Sequence, residues 1–141
     1  IDDIMEQVKC PVAVFVNRGY REGALVSFVL GGMIDIFLLS YISIMLQNGH
    51  SVRLFLFDTD DEEFCRCMND LQARYSGQIT MVRFVGIEEL VTKEKDGLLV
   101  MSHLSYTKLS EDELVMRELS SLLVIRRNKN KGEKNERLEI G

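Results

Sequence analysis

The sequence predicts an α/β fold with a doubly wound, mostly parallel open sheet. An apolar run over 24–30 meets Gly31-Gly32, a helix-length apolar segment follows over 33–48, and a second strand-like run covers 52–57. Strand, tight turn, helix and strand form a βαβ unit, which is a right-handed crossover between parallel strands. Both strands are almost continuously apolar, as expected for a sheet that helices cover on both faces.

The same alternation continues through the rest of the chain. Thr59 or Asp60 is predicted to cap the next helix, and Ser110 with Glu113 fits a capping box at the last helix. The predicted elements are a helix over 61–75, a strand over 79–85, a helix over 87–95, a strand over 98–101, a loop over 102–109, a helix over 110–117 and a strand over 121–125.

The two ends of the chain differ from this repeat. Apolar residues at helical spacing over 1–9 predict the end of a helix, and VAVFV over 12–16 predicts a short strand. Because the chain opens on a helix end, we expect it to be a piece of a larger protein. Residues 128–141 combine low hydrophobicity with mixed charge, which predicts a disordered tail; contact of this basic stretch with anionic lipid is the alternative.

Composition excludes several classes of protein. The 141 residues suggest one domain, and a net charge of −5 argues against general nucleic-acid binding. Three irregularly spaced cysteines argue against a disulfide framework and favour a reducing compartment. The longest apolar run, 33–46, is shorter than the roughly 20 residues that a bilayer requires. We therefore expect a helix buried on more than one side, either in a thick core or at a subunit interface.

Reversal of the strand order predicts a crevice at the carboxyl ends of the first and fourth strands of the repeat. Gly31-Gly32 follows the first of these strands, and Ser102-His103 follows the fourth. Glycines at such a turn would let a phosphate approach amides at a helix N-terminus; the alternative is a tight turn with Asp35 near that terminus. The candidate ligand-binding residues are Gly31, Gly32, Asp35, Ser102 and His103.

The turn matches no nucleotide motif fully. It lacks the Lys-Ser or Lys-Thr of a P-loop, and it is not GxGxxG. It is similar to the SGGxDS loop of ATP pyrophosphatases, but Leu30 and Ile36 stand where that loop has serines. These replacements remove two hydroxyl groups and argue against AMP-forming chemistry.

The remaining reactive residues predict neither a metal site nor a catalytic constellation. The acidic residues over 58–63 need no metal at the start of a helix, and Cys65 and Cys67 fall on different helix faces. His50 is predicted at the surface. His103 has no paired nucleophile, and we do not expect Asp35 to orient it. The sequence therefore favours a protein without catalysis of its own.

Two segments resemble the cytosolic C-terminal region of monovalent cation:proton antiporters. They are CPVAVFVNRGY and, after a short connector, VSFVLGGMIDIFLLSY. In that family a strand ends in D-R-G and the next ends in G-G-x-D-D. Asn17-Arg18-Gly19 matches D-R-G except at its first residue, and Asp35 is the single acid retained after the glycine pair. The resemblance spans about residues 9–127.

That region of the family is similar to universal stress proteins, which have an adenine-nucleotide-binding α/β fold. The resemblance thus implies an adenine nucleotide as candidate cofactor. Yet SHLSYTKLSEDELVMRELSS, where the family has a phosphate-contacting glycine run, contains no glycine. Family-type ATP binding is therefore not expected, while a smaller ligand remains open.

The resemblance also implies the domain organisation. Residues 1–19 would be the helix end and edge strand of a preceding half, 20–127 a universal-stress-protein-like domain, and 128–141 the tail. We then expect 12–16 to pair antiparallel with 121–125 at the sheet edge.

The function implied is regulatory. The chain would be a non-catalytic cytosolic domain of a Na⁺ or K⁺/proton antiporter, at the cytoplasmic face of the inner (plasma) membrane. Its partners would be the transmembrane domain of the same chain and a second copy in a homodimer. The alternatives are a stand-alone nucleotide-binding stress protein and a small enzyme of the ATP-pyrophosphatase type.

Overall fold

A computed structural model describes residues 12–57, 60–84, 90 and 97–126 of the chain. These residues contain one six-stranded sheet, with strand order β1-β6-β5-β2-β3-β4. All neighbours are parallel except β1 and β6. The strands are β1 Val12–Val16, β2 Val26–Leu30, β3 Val52–Phe57, β4 Ile79–Phe84, β5 Leu98–Ser102 and β6 Ser121–Arg126.

The chain is therefore a mixed α/β protein with a mostly parallel sheet, as the sequence predicts. From β2 the chain moves outward through β3 to β4, then returns to the other side of β2 and continues through β5 to β6. This reversal between β2 and β5 is compatible with a Rossmann-type layout.

The N-terminal strand lies at one edge of the sheet. Its antiparallel register with β6 runs from Val12 opposite Arg126 to Val16 opposite Leu122. The predicted antiparallel pairing of 12–16 with the last strand is thus confirmed.

Helices cover both faces of the sheet. One face packs against a 3₁₀ segment and two helices, and the other packs against two shorter helices and Leu90. The helical elements are the 3₁₀ segment Met33–Leu38, α1 Leu39–Gln47, α2 Glu62–Arg74, α3 His103–Leu109 and α4 Glu113–Glu118. Across the described residues, the search for a helix with the length and apolarity needed to span a bilayer finds none.

Each face of the sheet has its own hydrophobic core, formed with different helices. On the first face, Leu38, Ile42 and Leu46 are at most 2% exposed and pack against β2 and β3. On the second face, Leu109 and Val115 pack against residues of β2, β5 and β6. Burial on both sides explains why the central strands are apolar throughout.

The long apolar segment after β2 is not a single α-helix. It opens as the 3₁₀ segment, in which the Asp35 N–H donates to the Gly32 carbonyl at 3.0 Å, and becomes α-helical at Leu39. One face of α1 is buried, while Tyr41 and Ile44 on its other side are 41% and 57% exposed. The thick-core alternative is therefore wrong in this chain, and the subunit interface stays a prediction.

The segment after β5 corrects two predictions. Residues 103–109, predicted as loop, form α3, because the Ser102 side chain caps its first turn. The last helix begins at Glu113 and is capped by Asp112, whose carboxylate accepts from the Val115 N–H at 3.1 Å. Ser110, the predicted cap, instead ends α3 and donates from its hydroxyl to the Thr107 carbonyl.

Other boundaries shift by one or two residues. Asp61, not Thr59 or Asp60, caps α2, since its side chain accepts from the Phe64 N–H at 3.2 Å. Strand β2 starts at Val26, because a turn with a bond from the Ala24 N–H to the Arg21 carbonyl precedes it. The predicted helix end over 1–9, the helix over 87–95 apart from Leu90, and the tail over 128–141 lie outside the described residues.

Candidate functional site

The predicted crevice lies where the strand order reverses. Strands β2 and β5 are parallel neighbours, with Val26 opposite Leu98 and Phe28 opposite Val100. Their carboxyl ends therefore meet at one edge of the sheet, and the Gly31-Gly32 turn lies beside the start of α3 at Ser102-His103.

The carboxylate of Asp35 occupies the turn after β2. Asp35 is 1% exposed, and its Oδ2 accepts from the Gly31 N–H at 2.7 Å and from Ser105 Oγ at 3.1 Å. The Gly31 amide, which a bound phosphate would need, thus already donates to an anion of the protein itself. Of the two sequence alternatives, the geometry favours the tight turn over the phosphate cradle.

The geometry of this turn favours glycine at both positions 31 and 32. A Cβ added to Gly31 would lie 3.1 Å from Asp35 Oδ2, so a side chain there would press on the carboxylate. Gly32 has a φ of 136°, a conformation that side chains other than glycine rarely adopt. The glycine pair therefore lets the chain turn tightly enough for Asp35 to reach back to residue 31.

The end of β5 contributes two serines. Ser102 Oγ accepts from the Ser105 N–H at 3.1 Å and lies 3.3 Å from Ser105 Oγ, to which it donates. Ser105 Oγ in turn donates to Asp35 Oδ2. A buried hydroxyl chain thus joins the end of β5 to the turn after β2. Ser105 was not predicted from the sequence. The feature that could have indicated it is its position three residues after Ser102, where a helix cap accepts a hydrogen bond.

One oxygen of the Asp35 carboxylate has no partner. While Oδ2 accepts two hydrogen bonds, Oδ1 is buried and accepts none from the residues that the structure describes. Leaving a buried acceptor unpaired costs about 1–3 kcal/mol, and more for a charged group. This oxygen therefore lowers the stability of the turn instead of adding to it.

Two cavities meet at this carboxylate, and they share Ile34, Asp35 and Leu104. We call them together the Asp35 cleft. The larger lobe, of about 310 Å³, is also lined by Phe37, Ser102, His103, Thr107, Ile125 and Arg126. The smaller lobe, of about 230 Å³, is also lined by Val29, Gly31, Phe57, Ser105, Lys108 and Leu109. Ile34 and Leu104 are 54% and 40% exposed.

The Asn17-Arg18-Gly19 motif lies away from this cleft, after β1. Asn17 Oδ1 accepts from the N–H groups of Gly19 and Tyr20 at 3.0 and 3.2 Å, which closes the turn. The Arg18 N–H donates to Ser121 Oγ at 2.8 Å, and its guanidinium donates to the carbonyls of Met116 and Leu119. The motif therefore fastens β1 to the connection between α4 and β6.

The other reactive residues are scattered. His50 is exposed after α1, as predicted. Cys65 and Cys67 are half-buried residues of α2 that take part in no disulfide among the described residues, and Cys67 packs against the core. Across 12–57, 60–84, 90 and 97–126, no group of three or more His, Cys, Asp or Glu side chains could hold a metal ion.

Comparisons of the chain with protein-family models, with curated proteins and with solved structures found no match.

Proposed function

We propose that this chain is a non-catalytic, cytosolic regulatory domain of a membrane antiporter that exchanges Na⁺ or K⁺ for protons. The observation that carries the proposal is the antiparallel strand β1 at the sheet edge beside β6. The antiporter resemblance predicts this strand as the last one of a preceding half. The five parallel strands β2 to β6 do not by themselves require an additional antiparallel strand at the edge of the sheet.

The motif after β1 supports the same proposal. Arg18 and Gly19, the two residues that match D-R-G, take part in the turn that fastens β1 to the domain. Strand β1 is held both by the Arg18 guanidinium and by its hydrogen-bonded pairing with β6. A displacement of β1 would therefore move the sheet and would not simply detach the strand. This is the property that a domain needs if it is to couple its own state to a membrane region.

The regulation would act through two states of the domain. A ligand or partner shifts such an equilibrium only if it binds the two states with different affinity. Transport would be performed by a transmembrane domain of the same chain, at the cytoplasmic face of the inner (plasma) membrane. The exposed Tyr41 and Ile44 of α1 offer an apolar contact for a second copy in a homodimer.

The test uses the whole gene product in inside-out membrane vesicles. Proton release on addition of NaCl or KCl is measured for the intact protein and for a deletion of residues 12–126. We expect both to transport, with rates that differ by about fivefold or more, which is the lower range of allosteric coupling. A reading frame without membrane-spanning segments, or identical rates after deletion, contradicts the proposal.

A matched pair of variants sharpens the test. Arg18→Ala removes the guanidinium that fastens β1, whereas Arg117→Ala removes an exposed guanidinium on α4. In the intact protein, Arg18→Ala should move the transport rate toward that of the deletion, and Arg117→Ala should leave it unchanged. Equal effects of the two variants argue against coupling through β1.

A stand-alone nucleotide-binding protein is the second candidate, and the cleft at the carboxyl ends of β2 and β5 favours it. Against it stands the Gly31 N–H, which already donates to Asp35. Calorimetric titration with ATP and AMP tests this candidate: heat of binding with micromolar affinity favours it, and no heat favours the regulatory domain without a nucleotide.

A further inference from the structure

We infer that the sheet face under α1 and α2 carries a docking surface for a second copy of this chain. In the resulting two-fold dimer, α1 of each copy lies over strands β6 and β1 of the other copy. The inference rests on the homodimer named in the proposed function, to which it adds the surface, the arrangement of the two copies and a role for β1.

The helices of this face cover only part of the width of the sheet. Because α1 joins β2 to β3 and α2 joins β3 to β4, both lie over these three strands. The helices between β5 and β6 pack on the opposite face. The strip formed by β6 and β1 therefore has no helix of its own among the described residues. Strands are about 4.8 Å apart and a helix is about 10 Å wide, so this strip has room for one helix.

The strip is apolar and partly exposed. Leu123 of β6 packs against the core of this face but is only half-buried. The register places Phe15 opposite Leu123 and Ala13 opposite Ile125, so the side chains of each pair lie on the same face. Ala13 is exposed, and Phe15 is 48% exposed and meets the Tyr20 ring edge-on, with 6.1 Å between the ring centroids. We call Ala13, Phe15 and Leu123 the edge floor.

The flank of α1 beside the edge floor is also apolar. Phe37, Tyr41 and Ile44 follow one another at intervals of four and three residues, which places them along one side of the helical segment. Phe37 lines the larger lobe of the cleft together with Ile125, so this flank is the one that faces β6. One turn further along α1, Tyr41 lies about 6 Å lower, which is close to the rise from Leu123 to Ile125. Tyr41 therefore lies level with the edge floor.

Charge favours a second copy as the occupant. Between positions 24 and 52, Asp35 is the only Asp, Glu, Lys or Arg, and its side chain is buried. Arg126 lines the cleft beside Phe37, one turn away from Tyr41. A partner that is recognised by its charge would therefore find no counter-charge along Tyr41 and Ile44. Two copies with a net charge of −5 each repel one another, and they repel least where two uncharged faces meet.

The shape of this face is complementary to itself. Helix α1 stands beside the edge floor as a ridge stands beside a groove of the same width. A two-fold axis parallel to α1 would place the ridge of each copy in the groove of the other, so one rotation fills both grooves. Ile44, which is 57% exposed, would then pack on the edge floor of the second copy. Each contact would occur twice, as it does in every isologous interface.

The first experiment is sedimentation equilibrium of the 141-residue chain at concentrations up to about 200 µM. We expect a reversible dimer with a dissociation constant of about 10 µM, because a contact made by one short helix from each copy is small for a stable interface. A chain that stays monomeric over this range overturns the inference. Coverage of the edge floor by residues 1–11 or 127–141 of the same chain would give this result.

Three lysine substitutions at exposed positions locate the interface. Ile44→Lys changes the ridge, Ala13→Lys changes the edge floor, and Asn69→Lys adds the same charge on α2 as a control. We expect the first two to raise the dissociation constant at least tenfold, because each buries two unpaired charges in the dimer. Asn69→Lys should leave the dissociation constant unchanged. Since an added positive charge lowers the general repulsion between two acidic chains, weaker association cannot come from net charge.

The three variants also test the arrangement of the copies. An unchanged dissociation constant in Ala13→Lys would show that the dimer does not use the edge floor, and equal weakening in all three variants would place the interface elsewhere. Either result overturns the inference. Circular dichroism checks that each variant folds, and Phe15→Ser, which removes an exposed ring of the edge floor, replaces Ala13→Lys if that variant does not fold.

These measurements do not involve transport. A monomeric chain would overturn the docking surface and leave the vesicle test of antiport regulation unaffected. Equal transport rates after deletion of residues 12–126 would contradict the regulatory function and leave the dimer in place. The two proposals can therefore fail separately.

Discussion

Two turns that follow strands β1 and β2 use polar residues in opposite ways. After β1, Asn17 closes the turn and Arg18 donates to two carbonyls and a serine hydroxyl. After β2, Asp35 closes the turn with Oδ2, while its buried Oδ1 has no partner in the described part of the chain. Both turns contain a glycine at positive φ.

The difference lies in how completely the polar groups of each turn are paired within the described part of the chain. A polar group whose hydrogen bonds are made within the chain stabilises the fold and gains nothing from a ligand. A buried polar group with an unused acceptor costs stability, and that cost falls when a suitable donor binds. The turn after β1 therefore stabilises the fold through the polar groups named here, whereas the turn after β2 leaves Asp35 Oδ1 without a partner among the described residues.

The largest expected effect comes from removing the carboxylate altogether. Asp35→Ala leaves the donors of Gly31 and Ser105 without their acceptor, which should lower the free energy of unfolding by about 2 kcal/mol. Urea unfolding followed by circular dichroism measures the change. Ser105→Ala removes one donor and keeps the carboxylate, so it should cost less, about 1 kcal/mol.

An increase in stability for Asp35→Ala would contradict the view that this carboxylate organises the turn. It would mean that relief from burying a charge outweighs the two hydrogen bonds. The comparison of the two turns would then lose its basis.

A smaller effect is expected for the turn after β1. Arg18→Ala removes the donors to the carbonyls of Met116 and Leu119, and we expect a loss of about 1.5 kcal/mol because the guanidinium is partly exposed to water. Hydrogen exchange should quicken in β1 and at the start of β6, and the amides of β3 should be unaffected.

The control for this variant is Arg117→Ala, an exposed change on α4 that should stay within about 0.5 kcal/mol of the wild type. If Arg18→Ala and Arg117→Ala have the same stability, Arg18 is not a fastening residue and β1 is held by its ladder with β6 alone.

The smallest effect concerns the first glycine of the pair. A Cβ at Gly31 would lie 3.1 Å from Asp35 Oδ2, so Gly31→Ala should cost about 1 kcal/mol as the carboxylate moves away. Combined with Asp35→Ala, the same substitution should cost close to nothing, since the crowded atom is gone. A double-mutant cycle of unfolding free energies measures this coupling. Additive costs would show that Gly31 is required for a reason other than Asp35.

Much of the fold follows from patterns along the chain. The apolar runs of β2, β3 and β5, and the glycine turn between β2 and the helical segment, predict parallel strands covered on both faces. The crevice at Gly31 and Ser102 follows from where the strand order reverses. The first of these features is local to one βαβ unit, whereas the second depends on the order of the strands and joins residues that are far apart in the chain.

The caps were harder to predict. Asp61 and Asp112 cap α2 and α4, yet neighbouring Asp60 and Ser110 have equally suitable side chains. The choice among adjacent capping residues depends on where packing of the buried helix face places the first turn. The helix α3 was missed because its seven residues carry a weak apolar period and its cap, Ser102, is also the last residue of β5.

The sequence by itself determined the α/β class and the two turns, Gly31-Gly32 and Ser102-His103, that meet at the crevice, while the edge position of 12–16 was implied by the resemblance. Only the tertiary structure decided what those residues do to one another. Asp35 and Ser105 are 70 positions apart, and no local pattern tells whether a carboxylate will meet a hydroxyl, a phosphate or water. The pairing of buried polar groups is a property of the closed structure, because every atom that could compete for each hydrogen bond must first be in place.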